Sequence, residues 1–379
     1  MDMAQSILGG NIGAINQDGS IVPVENESSF DCEPGHAAMA LGEFHRATGL
    51  TEIDGKNIVD LTAACITAQT NDKEYTEDGL AYSSLGLLAF GPSKERNLVW
   101  EKLSEETRKN LDKRLLSRSD YEDHLQIFNI AKAVARFSMG LSKKDETGKL
   151  IDKFLERIDQ TSRGKYFDDK PTSGIDGVFD IYGIVSFVFI RQSLQLHANM
   201  HLRDRKIPSL RTYAEKYLRI LPDIVRSDGL GWAFGQMHCI SMILQAMRDN
   251  WISEDKMPEY MDILRRLFQF FFMTYLDQEH GYLVIRDGER SAESTCTTRM
   301  ANFDAARYLC QWARLAKTVG RQLQSKNSTP ASYGKYIMLD NSPRKEQGLF
   351  IYMNSETGLH VHLPITAAGV QNSSSSLAF

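Results

Sequence analysis

The chain has 379 residues, of which 42% are hydrophobic, 25% charged and 9% aromatic. That composition excludes a disordered chain, a collagen-like repeat and a coiled-coil rod, and it supplies a large core. With 44 Lys and Arg against 49 Asp and Glu, the net charge is -5 and no basic tract occurs. This argues against a nucleic-acid partner and against adhesion to anionic lipid.

The opening residues carry neither the cationic nor the apolar region of a secretory signal, so a cytoplasmic or periplasmic location is expected. The longest apolar stretches, such as Ile184 to Ile190, are too short to span a bilayer. Five cysteines (Cys32, Cys65, Cys239, Cys296, Cys310) are scattered and form no CxxC pair. Neither a zinc ribbon nor a disulfide scaffold is signalled, and buried free thiols are the plain reading. No P-loop, GxGxxG, HExxH or GxSxG occurs, so no cofactor is implied.

In chain order, residues 1–35 are rich in Gly, Asn, Ser and acids, and read as an irregular lead-in. From His36 the apolar spacing is helical. Met39, Leu41 and Phe44 begin one stripe, which stops at Gly49. Ile58, Leu61, Cys65 and Ala68 make a second, and Leu85, Leu88 and Ala89 a third that stops at Gly91-Pro92. Ser119 with Glu122 has the form of a capping box, opening a helix through Ile127, Ile130, Val134 and Phe137 to Gly140. Further helices are expected over 150–159, 182–200, 209–225, 237–248, 259–276 and 301–319. Nothing in this span alternates with period two.

The pattern changes after Gln324. Tyr336 to Leu339, Leu349 to Met353 and Leu359 to Leu363 read as short strands, the last alternating apolar and polar residues. The expected division is therefore a lead-in over 1–35, a helical body over 36–324 and a β region over 333–379. That β region is expected to be part of a C-terminal β domain, or a small sheet packed on the helices. Consecutive helical hairpins close as a solenoid or as a ring. No fixed-period repeat occurs, so the expected fold is mainly α: an (α/α) toroid of helical hairpins followed by the start of an antiparallel β-sheet or sandwich region.

In such a ring the inner-helix ends and their loops surround a central cleft, and three loops stand out. Asp31-Cys32-Glu33-Pro34-Gly35-His36 offers Glu33 and His36, although Pro and an acid before a helix are also ordinary entry signals. Tyr166 to Pro171, followed by Phe179-Asp180-Ile181-Tyr182, offers Asp180 and Tyr182, where Asp180 would equally serve as an N-cap. The most specific loop is Asp228-Gly229-Leu230-Gly231-Trp232-Ala233-Phe234-Gly235-Gln236, with His238 just inside the next helix. Its glycines let backbone approach a ligand, Trp232 and Phe234 offer faces for a sugar ring, and Asp228 can hold a proton or a hydroxyl. A fourth segment, from Arg286 and Arg290 to Arg299, suits two-pronged recognition of a carboxylate such as that of a uronic acid, although exposed Arg–acid pairs explain it as well. His360 and His362 share a strand face and could hold a metal; a solvent-facing polar strand is the plain reading, and no metal site is expected.

Phe128-Asn129-Ile130-Ala131, then Lys165 to Asp169, then Phe179 to Tyr182, then Asp228-Gly229 to Gly235-Gln236 follow the motif order of a family of bacterial toroid proteins. The chain resembles that family, which bears an unknown-function label and is associated with exo-acting β-glucuronidases of polysaccharide-utilisation loci. It also resembles, more distantly, toroid polysaccharide lyases of the heparinase and alginate lyase type. Where relatives often carry Gly-Arg after the aromatic loop, this chain carries Gly235-Gln236, one cation fewer.

The resemblance implies a substrate that is an oligosaccharide or polysaccharide containing uronic acid, and leaves a homo-oligomer open. As a glycoside hydrolase the chain would use Asp180 and Asp228 as its acid/base pair, with Glu33 in reserve. As a lyase it would use Tyr182, His238 or His36 as base and acid, with Asn129 or an Arg to neutralise the uronate. Substrate contacts are expected from Glu33, His36, Asn129, Trp232, Phe234, Gln236, Arg290 and Arg299. A non-catalytic glycan-binding toroid is the third reading.

Overall fold

The computed structural model describes residues 1–23, 31–91, 93–119, 125–161, 182–225, 236–277, 282–283, 299–319, 333–338, 348–354, 356–357 and 359–365. Thirteen α-helices occur among these residues. Six of them form an inner ring: α2 (Glu33–Thr48), α4 (Glu77–Ala89), α7 (Gln126–Ser138), α9 (Tyr182–Gln195), α11 (Gln236–Arg248) and α13 (Arg299–Val319). They touch in that cyclic order, and α13 closes back onto α2. Outside them lie α1 (Asp2–Ile12), α3 (Ile58–Asn71), α6 (Glu105–Leu116), α8 (Thr147–Thr161), α10 (Met200–Ile224) and α12 (Met257–Tyr275). Inner and outer helices alternate along the chain, with the short α5 (Leu98–Lys102) packed on α3. The fold is the (α/α) toroid that the sequence led us to expect.

Alternation makes the inner helices parallel, and the side chains confirm the direction. His36 and Asp304, both in early turns of α2 and α13, meet at 3.1 Å. At the other ends, Glu43 of α2 meets Arg314 of α13, and Arg191 of α9 meets Asp249 just past α11. The seam between α2 and α4 is the tightest. Gly35 faces the backbone of Gly79, and Gly42 faces Gly86, so a Cβ at Gly35 would lie 2.1 Å from the Gly79 carbonyl oxygen. Seven-residue spacing of the glycines on both helices keeps that contact on one face over two turns.

Local signals explain the boundaries. Asn57, Thr76, Ser104 and Asn199 each accept a backbone N–H in the first turn of the helix that follows. Gly49 ends α2 in the left-handed region, with its N–H on the His45 carbonyl. Two-residue strands β1 (Glu52–Ile53) and β2 (Lys56–Asn57) pair around Asp54 and Gly55, both at positive φ. A similar pair, β3 (Leu276–Asp277) and β4 (Tyr282–Leu283), follows α12. Strands β5 (Tyr333–Met338), β6 (Gly348–Met353) and β7 (His360–Ile365) form an antiparallel sheet in that order. Ile351 of β6 is fully buried and joins the core of the helical body. The register pairs His360 with Met353 and His362 with Ile351.

Four expectations need correction. The lead-in is not irregular throughout, because Ala4, Ile7, Leu8, Asn11 and Ile12 form one buried stripe of α1 against α13. Ser119 does not open α7, which starts at Gln126 without a side-chain cap; the Ser119 hydroxyl meets Glu77 instead, and Glu122 lies outside the described residues. The helix after α9 starts at Met200, not Ser209, and runs through Pro208, which costs it one N–H donor and crowds the carbonyl one turn back. Helices α5 and α6 were not expected at all, since α6 carries a mostly charged surface over three buried anchors, Thr107, Leu111 and Leu115.

Cys32, Cys65, Cys239 and Cys310 are buried free thiols, as expected for those four; Cys296 lies outside the described residues. Among the described residues no helix is long and apolar enough to cross a membrane. Gly35→Ala should destabilise the chain by about 1–3 kcal/mol in a denaturant titration, because backbone rather than a flexible side chain blocks the new methyl. Gly13→Ala, with nothing nearer than the end of Lys56 and an ordinary φ, should change the midpoint little.

Candidate active site in the ring interior

Early turns of the parallel inner helices bring polar side chains together where a toroid otherwise buries apolar ones. Glu33 and His36 come from the first turn of α2, Tyr82 from α4, and Asp304, Arg307 and Tyr308 from α13. The His36 ring stacks on Tyr82, with centroids 3.8 Å apart. Its Nδ1 faces the Asp304 carboxylate at 3.1 Å. Asp304 also forms an ion pair with Arg307, its Oδ1 lying 2.9 Å from Nη2. Arg307 is almost completely buried, and it donates from Nη1 to Gln192 of α9 at 3.0 Å and from Nη2 to the Tyr308 hydroxyl at 2.8 Å. Its guanidinium lies over the Tyr308 and Tyr82 rings, 4.5 and 5.4 Å from their centroids. Aromatic contacts run on from Tyr82 to Phe189 of α9 and Phe128 of α7, so the ring interior is spanned at this depth.

The electrostatics follow from burial. Desolvation alone would weaken the Arg307 charge, but Asp304, Tyr308 and Tyr82 outweigh it and hold the guanidinium protonated more firmly than usual. Burial raises the Tyr82 and Tyr308 phenols, so both stay neutral. Burial likewise pushes the Glu33 carboxyl above its ordinary 4.5, against the Met300 backbone N–H and the Arg299 guanidinium, which pull it down. Glu33 Oε2 has no hydrogen-bond partner among the described residues. The Cys32 thiol is raised by burial and by the neighbouring Asp78 carboxylate.

At the opposite end of the ring the charges serve structure. Glu43 is buried, and Arg46, Arg314 and Arg248 outweigh its desolvation to keep it ionised below the usual carboxylate range. Arginines at the carboxyl ends of helices also oppose the helix dipoles.

Several expected site residues have structural partners. Asn129 is buried near the start of α7 and donates from Nδ2 to the Ser119 carbonyl at 2.8 Å. Arg299 donates from Nε to the Val22 carbonyl at 2.6 Å and from Nη1 to Asn11 Oδ1 at 2.9 Å, tying α13 to the amino-terminal segment. Tyr182 begins α9, while Gln236 and His238 fall in the first turn of α11; their side chains lie outside what is described. Asp180, Asp228, Trp232, Phe234 and Arg290 lie outside the described residues altogether. Asp78, Tyr82, Gln192, Asp304, Arg307 and Tyr308 were not anticipated. The signal available was spacing: Cys32–His36, Asp78–Tyr82 and Asp304–Tyr308 are i, i+4 pairs on helix faces that should otherwise be apolar.

Two outcomes test this electrostatic picture. Arg307→Met should cost about 3–5 kcal/mol in equilibrium unfolding, because it strands a carboxylate in the interior, and adding Asp304→Asn should recover part of that loss. Glu33 gives a pH signature. A raised folded-state value means that Glu33 opposes folding only once the unfolded chain's carboxyl ionises, so its cost is absent below about pH 4 and grows as pH rises through 4.5. Glu33→Gln should therefore unfold at a higher denaturant midpoint than the parent at pH 7, with the gap closing by pH 4. An equal midpoint at pH 7 would remove the buried-acid assignment.

No protein-family model matches the sequence, and no curated protein matches it. The toroid family of unknown-function label therefore remains a resemblance of motifs. Solved structures do match. A glycosyl hydrolase of family 88 from Bacteroides vulgatus superposes with a TM-score of 0.53 at 11% identity, over 83% of this chain and 99% of its own. A polysaccharide lyase gives 0.52 at 9% identity, over 84% and 99%. The alpha-1,6-mannanase of glycoside hydrolase family 76 from Salegentibacter sp. gives 0.52 at 10% identity, over 83% and 99%. At these identities the likeness establishes the fold, an (α/α) toroid.

Proposed function

We propose that this chain is a carbohydrate-active enzyme that cleaves glycosidic bonds in uronic-acid-containing glycans, and read it first as a glycoside hydrolase of β-glucuronidase type. One observation carries the reading. Glu33 is buried with its carboxyl pushed up, while Asp304, in the same cluster, faces a guanidinium. Carboxyl groups held in such different environments are what acid and base roles in glycoside hydrolysis require. The three structural neighbours, two named as glycoside hydrolases and one as a polysaccharide lyase, are consistent with a glycan substrate.

In this mechanism a protonated carboxyl gives its proton to the leaving oxygen, and an ionised one activates water or attacks the sugar. Glu33 has the environment of the proton donor. Its ionised partner would then be Asp180 or Asp228, the pair that the motifs suggest, since Asp304 is engaged by His36 and Arg307; in sequence Asp180 precedes α9 by two residues, and the Asp228 loop leads into α11. Parallel inner helices also gather their positive dipole ends on this side of the ring, which favours an anionic sugar there.

A second reading is a lyase acting by β-elimination, and the His36–Asp304 contact favours it. A carboxylate on Nδ1 fixes the tautomer that leaves Nε2 able to accept the C5 proton of a uronate.

A panel of glucuronides and uronic-acid glycans separates these readings. Hydrolysis releases reducing ends without ultraviolet absorbance, whereas elimination creates an absorbing unsaturated product. Glu33→Gln, Asp180→Asn and Asp228→Asn should each lower turnover by about 10²–10⁴-fold under the hydrolase reading. Full activity in all three would overturn it, and sugar binding without any product would leave a binding module.

A further inference from the structure

We propose that Cys32, His36 and Asp78 form a site for one thiophilic divalent cation, with zinc as the ion their chemistry favours. One ligand atom from each lies within 4.8 Å of the other two. A tetrahedral zinc, with bonds of about 2.0–2.3 Å, sets its ligand atoms about 3.5 Å apart, so a contraction of about 1 Å closes the site. Cys32 caps α2, His36 lies one turn on, and Asp78 is the second residue of α4. The glycine seam between these helices holds the three positions on stiff elements, which suits a metal site.

The surroundings of the cluster point the same way. Asp304 sits on His36 Nδ1, and a carboxylate on one ring nitrogen is the usual support for a histidine that binds metal through the other. Arg307 anchors Asp304 in turn. The Cys32 thiol donates to Met300 Sδ at 3.8 Å, and its Sγ lies within 4.8 Å of an Asp78 carboxylate oxygen. One sulfur, one imidazole nitrogen and one carboxylate oxygen select zinc over magnesium or calcium. Three protein ligands leave a fourth position for water or a ligand oxygen. The inference does not depend on the hydrolase reading. It competes with the lyase reading, because a metal on His36 Nε2 removes that nitrogen as a base.

The test is a titration of the chelator-treated full chain with cobalt(II), then with zinc(II). One cobalt per chain with a sulfur-to-cobalt charge-transfer band is expected, and zinc should bleach it. Zinc should also slow alkylation of Cys32 and leave the rates of Cys65, Cys239 and Cys310 unchanged, an arm that needs no variant. Cys32→Ser should abolish the band, and Asp304→Asn should weaken binding by about 10–100-fold through loss of the histidine's support. A double change of His360→Gln and His362→Gln should leave binding intact. No band at saturating cobalt, a band that survives Cys32→Ser, or binding lost with the two strand histidines would each overturn the proposal.

Discussion

A buried guanidinium organises the centre of this ring. Taking Arg307 out of water is costly, and the partners of its two Nη nitrogens offset that cost, while its buried Nε has no hydrogen bond among the described residues. Those partners come from around the ring: Asp304 and Tyr308 on its own helix, Gln192 on α9 and the Tyr82 face on α4. Through Asp304 the arginine also fixes His36 on α2. Four of the six inner helices are thus referenced to one cation.

This arrangement divides the toroid by charge. At the carboxyl ends of the inner helices, arginines enclose Glu43 and pair Arg191 with Asp249, which suits the negative ends of the helix dipoles. At the amino ends sit Glu33, Asp78 and Asp304, in the field that favours anions. Both ends are electrostatically sensible as structure. They differ in what is left over among the described residues: a guanidinium nitrogen, Arg191 Nη1, lacks a hydrogen bond at the carboxyl end, whereas two acceptors, Glu33 Oε2 and Asn129 Oδ1, lack one at the amino end. Buried acceptors without donors, one of them on a carboxyl that burial raises, mark the end where chemistry is to be sought.

Most of the ring was legible in sequence, because its inner helices carry apolar stripes that end at Gly49, Gly91 and Gly140. The misses have physical causes. Helix α1 has the required stripe at Ala4, Ile7, Leu8, Asn11 and Ile12, but Gly9 and Gly10 and the polar Asn11 disguise it. Helix α6 buries too few side chains for its period to show. Pro208 reads as a boundary locally, yet tertiary packing carries α10 through it. The site was legible in part: Glu33 and His36 were visible as a loop of chemical residues before a helix. Arg307 was not, because a lone arginine in a helical pattern reads as solvent-facing, and only closure of the ring turns that face inward. Asn129 and Arg299 read as ligand contacts, but their donors tie down backbone and neighbouring segments.

The glycine seam has a mechanical consequence. At Gly35 and Gly86, α2 and α4 meet backbone to backbone, so no rotamer change at those points lets the helices slide. The seams among α9, α11 and α13 are instead bridged by side chains: Gln192 to Gln311 and to Arg307, Gln195 to Gln245, and Arg191 to Asp249. The two sides of the ring thus answer differently to substitution: swapping one side chain can loosen the bridged seams, whereas the glycine seam yields only when its backbone is pushed apart.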